Sequence, residues 1–186
     1  MRREFKVPRM EEVLEHDRKL LFALKQSMGF VPNVYAFMTR SETALKRFMD
    51  FMDVSTVFDR IQTEAIHLVT SQVNQNPYCL AAHTALAKEA GLSDKQIEAI
   101  REGNVTWDEK LDTLVDFTCE LVTNRGKVGP EMIGRFYQAG YTDACLVDLV
   151  MLVGMTTITN YLNNATWIPV DFPEAPVIIC KCDCKK

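Results

Sequence analysis

The chain carries no surplus of basic residues. Its 21 Lys and Arg face 25 Asp and Glu, a net charge of −4, and its pI is about 5.4. No basic stripe or cluster stands out, so there is no electrostatic case for a nucleic-acid partner. No stretch alternates apolar and polar residues for long, so no sheet is expected. No apolar run approaches the roughly 20 residues needed to cross a bilayer. The longest, Ala144 to Met155, is interrupted by Asp148. The N-terminus is basic but has no apolar core behind it, so no secretory signal is expected. Together these absences lead to the expectation of a cytoplasmic protein that engages neither nucleic acid nor membrane.

What is present is the composition of a globular protein with a real core, 47% hydrophobic and 25% charged over 186 residues. The punctuation is that of an all-α chain. An apolar stripe (Val13, Leu14, Leu20, Leu21, Leu24, Met28) predicts a helix over 10–28, stopped by Gly29. Pro32 opens a short second helix, and Ser41 is read as the cap of a third. Asp59 and Gln62 form a capping box for a helix reaching about Asn74. Asn76-Pro77, a favoured cap followed by a favoured first residue, opens the next, which ends at Gly91. Ser93 with Gln96, Thr106 with Glu109, Pro130, and Thr142 mark four further starts. The last of these helices extends to about Asn164, and the proline-rich IPVDFPEAPVI after it reads as extended.

A repeat with an offset of 49 runs through the second half. Ala90–Ile100 and Ala139–Leu149 share Ala-Gly-apolar-Ser/Thr-Asp, followed by apolar residues three and six places on. Carried back, the offset sets 64–74 against 113–123 and 77–90 against 126–139, which implies an internal three-helix duplication. Glu64, Cys79 and His83 then fall opposite Thr113, Val128 and Met132. The second copy is expected to keep the packing and lack the chemistry.

That chemistry is concentrated in EAIHLVTSQVNQNPYCLAAH, from Glu64 to His83. With Asn76 as cap, Cys79 is the third residue of its helix, where free backbone N–H groups and the helix dipole favour an anion. A lowered thiol pKa is the expectation there. His83 follows four residues later on the same face, and Glu64 comes from the preceding helix as a candidate general base. Each also has a plain structural reading: Cys79 as a core hydrophobe, His83 as a half-buried polar group, Glu64 as a dipole complement. His67, one turn after Glu64, is read as a polar residue on a wet or interfacial face. Cys119 and Cys145 are read as reduced core residues, and no disulfide framework is expected.

The stretch resembles the signature of the AhpD-like alkylhydroperoxidase and carboxymuconolactone decarboxylase superfamily: a Glu, then Cys-x-x-Cys at a helix start, then a His four residues after the second Cys. MGFVPNVYAFM and TITNYLNNATWIPVDFP are similar to the ends of its longer, peroxidase-related branch. The resemblance implies an AhpD-like helical domain over 1–179, a Cys/Lys-rich tail over 180–186, and a trimeric or hexameric homo-oligomer. It implies a thiol peroxidase in which Cys79 attacks a hydroperoxide, activated by Glu64 and His83, with an external thiol or redox protein as reductant. No metal, flavin or haem is needed. Tyr78 stands where some members carry a further His of the proton relay. The family's first Cys falls at Asn76, which keeps the helix start and removes the resolving thiol. A sulfenate on Cys79 would need another thiol, for which Cys180, Cys182 and Cys184 are the in-chain candidates. A decarboxylase-like enzyme, or an impaired helical oligomer serving as a binding or thiol-sensing module, are the alternative readings.

Overall fold

The computed structural model describes residues 5–52 and 55–178, and among these the chain is all-helical. The helices are α1 (Glu15–Met28), α2 (Asn33–Met38), α3 (Ala44–Met52), α4 (Arg60–Val73), α5 (Pro77–Glu89), α6 (Asp94–Glu102), α7 (Glu109–Thr123), α8 (Pro130–Gln138) and α9 (Asp143–Thr166). The cysteines of the tail lie outside the described residues. The chain divides into two compact units, residues 1–55 with 161–171, and residues 56–160 with 172–186.

In the first unit the expected helix over 10–28 is split. A 3-10 turn at Met10–Glu12 is closed by Arg9 and Glu12, and Leu14 turns extended (ψ 151) before α1 begins. The interruption lets Val13 bury while its carbonyl accepts from Arg18 Nη2 at 3.0 Å. Ser41 does not cap α3 with its side chain. Ala44 N–H reaches the Ser41 carbonyl instead, at 3.3 Å. The Asn33 backbone N–H donates to Asp171 at 2.6 Å and its side chain donates to the Pro169 carbonyl at 3.1 Å, fixing the segment after α9 onto the start of α2.

The second unit is built around α4, which packs on α5, α6 and α7. Every residue of α4 from Glu64 to Val73 is buried. Burying Ile66, Leu68 and Val69 in full contributes on the order of 1.5–3 kcal/mol apiece. α4 is therefore a core helix rather than a one-faced surface helix, and any polar residue on it must find a partner inside the protein. Phe136 is fully buried in this core. It stands 4.4 Å from the Phe117 ring and stacks on Tyr141 at 4.6 Å.

The duplication is visible in the caps. Asp59 and Asp108 cap α4 and α7, 49 residues apart, each accepting from the backbone N–H three residues on. Gly91 and Gly140, again 49 apart, both take left-handed φ values (100° and 86°) that a side chain would strain. The caps expected at Ser93, with its Gln96 box, and at Asn76 are present. Thr106 does not cap α7, because Asp108 is closer and its carboxylate takes the Leu111 N–H at 2.9 Å. Opposite the candidate site, Thr113 returns its hydroxyl to the Glu109 carbonyl, and Val128 and Met132 pack on the core.

α9 is long and apolar enough, by length and composition, to cross a membrane. Beyond Met155 the helix continues through Thr and Asn residues. Two of those, Thr156 and Asn160, are buried and hydrogen-bonded to α4 and α5. Exposed apolar residues remain on it at Val147, Val150, Met151 and Ile158. Cys119, on α7, is disulfide-bonded, which corrects its reading as a reduced core residue. Cys79 and Cys145 are free.

Candidate active site

The site grows from the junction of α4 and α5. The Asp59–Gln62 box starts α4 so that Glu64 and His67, three residues apart, lie on one face. Gln75 takes a left-handed turn (φ 51) and Asn76 then opens α5. The Asn76 Oδ1 accepts the Cys79 backbone N–H at 2.7 Å, and its Nδ2 donates to the Asn160 carbonyl at 3.0 Å. Asn76 is fully buried, so the residue standing where the signature has its first Cys has a structural task of its own: it caps α5 and ties it to α9.

Asn160 clamps the junction from the other side. Its Oδ1 accepts from Asn74 at 2.9 Å and its Nδ2 donates to Ser71 Oγ at 3.2 Å. Tyr78 is buried and meets the Phe172 ring edge-on at 5.8 Å.

Two of the three expected residues meet directly. His83 Nδ1–H donates to Glu64 Oε2 at 2.9 Å, with side-chain exposures of 17% and 10%. A carboxylate can only accept, so the proton sits on Nδ1 and Nε2 is left as the atom that gains or loses one. Cys79 lies one helical turn away, but its hydrogen bonds run to α9. Its thiol donates to Thr159 Oγ1 at 3.4 Å, and Thr159 in turn donates to the Thr156 carbonyl at 2.9 Å.

Cys79 is 3% exposed. Burial pushes its thiol above the ordinary range, and the hydrogen-bonding side chains of Thr159 and Asn160 pull it partly back. The lowered pKa expected from the helix N-terminus is thus reversed: loss of solvation outweighs the dipole.

His67 differs most from its sequence reading. It is 5% exposed rather than on a wet face. Its ring stacks on His83 at 4.4 Å between centroids, with 24° between planes. Its Nδ1 lies 2.6 Å from Thr156 Oγ1. Burial, reinforced by the neighbouring His83, holds its pKa well below 6.5, so it is neutral. Thr156, Thr159 and Asn160 were not marked as site residues by the sequence. Hydroxyl and amide groups at 156, 159 and 160 on one side of an otherwise apolar helix were the signal. The result is a thiol, two imidazoles and a carboxylate gathered by α4, α5 and α9. Among the described residues no group of His, Cys, Asp and Glu is suited to hold a metal ion.

Comparison with known proteins bears directly on this arrangement. Residues 32–109, which contain Glu64, Cys79 and His83, match the carboxymuconolactone decarboxylase family. The fold is that of the "alkylhydroperoxidase AhpD core" of a peroxidase-related protein from Ralstonia eutropha JMP134 (18% identity, 90% of this chain and 92% of that one, TM-score 0.82). The chain thus has an AhpD-like fold, and its residues 32–109 are similar to the carboxymuconolactone decarboxylase family. A peroxidase-related protein from Silicibacter sp. TM1040 is similar over 92% of this chain and 91% of its own, at 20% identity and TM-score 0.78. The debrominase Bmp8, solved as a cysteine-to-alanine variant with 2,3,4-tribromopyrrole, shares the fold at 15% identity, with 84% of this chain and 86% of that one covered and a TM-score of 0.73. No curated protein is similar enough in sequence to match.

Proposed function

We propose that this AhpD-like chain is a thiol-dependent, peroxidase-related oxidoreductase whose reactive thiol is Cys79. The observation that carries the reading is the half-buried Glu64–His83 hydrogen bond one turn from that thiol, at the start of α5. Glu64 orients His83 and leaves Nε2 able to exchange a proton with the thiol or with water beside it. The thiolate attacks the terminal oxygen of a hydroperoxide. The O–O bond breaks, the alcohol leaves with a proton, and Cys79 becomes a sulfenic acid. A small external thiol or a redox protein then forms a mixed disulfide with release of water, and a second thiol restores Cys79. Asn76 cannot close the local disulfide, so turnover depends on that outside thiol or on a tail cysteine.

The test is steady-state consumption of an organic hydroperoxide with a thiol reductant. Cys79→Ser abolishes it under this reading, and equal consumption by that variant eliminates the reading. The burial and raised pKa of Cys79 favour a second reading, a catalytically impaired helical oligomer that senses thiol oxidation. Oxidation of Cys79 without repeated turnover, with any thiol donor, would select it. The exposed apolar residues along α9 support a homo-oligomer under either reading. A light-scattering mass equal to one chain would remove that part.

A further inference from the structure

His67 is a buried imidazole that the mechanism above leaves unused. It stands in the middle of the site without touching the thiol or the carboxylate through a hydrogen bond in this structure. Its Nδ1 lies 2.6 Å from Thr156 Oγ1, and that hydroxyl also reaches the Leu152 carbonyl at 2.8 Å. The ring is thereby anchored to α9 and cannot turn over without breaking that bond. Its face lies against His83 at 4.4 Å and 24°. Among the described residues His83 is itself hydrogen-bonded at one atom only, by Glu64.

A single hydrogen bond leaves an imidazole free to pivot about the bonded atom. A second, flat contact on its face removes that freedom. We propose that His67, anchored by Thr156, is a positioning residue that holds the His83 ring in plane, so that its Nδ1 hydrogen stays on Glu64 and Nε2 remains its proton-exchanging atom. The proposal rests on the reading of His83 as part of the active site. The titratable groups meeting here are Glu64 and His67 from α4 and Cys79 and His83 from α5. The reach of α9 that faces them, Leu152 to Asn160, contains no charged residue. One residue of α9 serves both halves of the site: the Thr156 hydroxyl takes His67, and its carbonyl takes the Thr159 hydroxyl that contacts Cys79. Thr156 therefore registers the imidazole stack against the thiol.

The test uses the full-length reduced protein and two readouts. Nitrogen-15 imidazole spectra report the tautomer of His83 without any substrate. The pH profile of Cys79 alkylation by iodoacetamide reports the thiol without any hydroperoxide. Wild type is expected to show one fixed Nδ1–H tautomer for His83. His67→Leu, which fills the space without a flat ring, gives an averaged tautomer and about a tenfold slower alkylation near neutral pH. Thr156→Val does the same by releasing the anchor, and Thr156→Ser, which keeps the hydroxyl, restores both signals. Should His67→Leu not fold, the Thr156 pair still decides. Unchanged spectra in His67→Leu or Thr156→Val overturn the proposal, as does a Thr156→Ser that behaves like Thr156→Val. A wild-type protein that consumes no hydroperoxide, yet loses its fixed tautomer on loss of His67, removes the peroxidase reading and leaves the positioning role standing.

Discussion

Replacing Asn76 by alanine removes at least two buried hydrogen bonds at once. The first is the cap: Oδ1 accepts the Cys79 N–H at 2.7 Å, and losing such a cap costs about 1 kcal/mol. The second is Nδ2 to the Asn160 carbonyl at 3.0 Å, in a place with no exposed surface. Leaving that carbonyl short of a donor costs roughly 1–3 kcal/mol. The sum is a destabilisation of roughly 2–4 kcal/mol. For a chain of this size that corresponds to a Tm lower by roughly 5–15 °C. Asn76→Ser keeps a cap but cannot span to Asn160, so it should fall between wild type and Asn76→Ala. The assay is urea denaturation followed by far-UV circular dichroism. The expected result is a lower midpoint with an unchanged slope. An Asn76→Ala protein within about 0.5 kcal/mol of wild type would refute the claim that this residue holds α5 to α9, since surface-like substitutions fall in that range.

Other outcomes follow from the same geometry. Asn76→Cys should be destabilised like Asn76→Ala, yet its introduced thiol should form a disulfide with Cys79 on peroxide treatment, seen by peptide mass spectrometry; absence of that bond would separate the site from the signature's chemistry. Thr159→Val removes the polar side chain that pulls the raised Cys79 pKa partly back, so the alkylation profile of Cys79 should move to higher pH; a shift to lower pH would contradict the assignment. His67 is held neutral in the fold and accepts a proton once unfolded, so the unfolded state binds more protons below 6.5. Stability should therefore be full above that pH and decline as pH falls toward the lower folded value, and His67→Phe should flatten the decline. For Cys79 the sign is opposite. Its raised folded pKa means the unfolded state ionises first, so stability declines as pH rises past the ordinary thiol range, less so in Cys79→Ser, read from denaturation midpoints between about pH 7 and 10.

Much of the second unit could be read in the sequence because caps are local chemistry. Asp59, Asn76 and Ser93 each satisfy a backbone N–H three residues on, and nothing distant competes. Thr106 failed where a nearer carboxylate, Asp108, took the same task. The pairing of Glu64 with His83 was accessible because a tight turn joins their helices. The environment of His67 and Cys79 was not, because it depends on α9, 80 to 89 residues further on. Spacing places an imidazole on a stripe but does not say whether that stripe meets water or a threonine. For the same reason the helix N-terminus at Cys79 was legible and its loss of solvation was not. The sign of the thiol's shift follows from that burial.

The central claim is that Cys79 reacts with hydroperoxide under the control of the Glu64–His83 pair. Stopped-flow oxidation of the reduced protein by an organic hydroperoxide, with sulfenate trapping at Cys79, tests it most directly. The account predicts a single-turnover phase in wild type, its absence in Cys79→Ser, and a phase slower by about tenfold or more in Glu64→Gln. An oxidation phase of equal rate and amplitude in Cys79→Ser would contradict it.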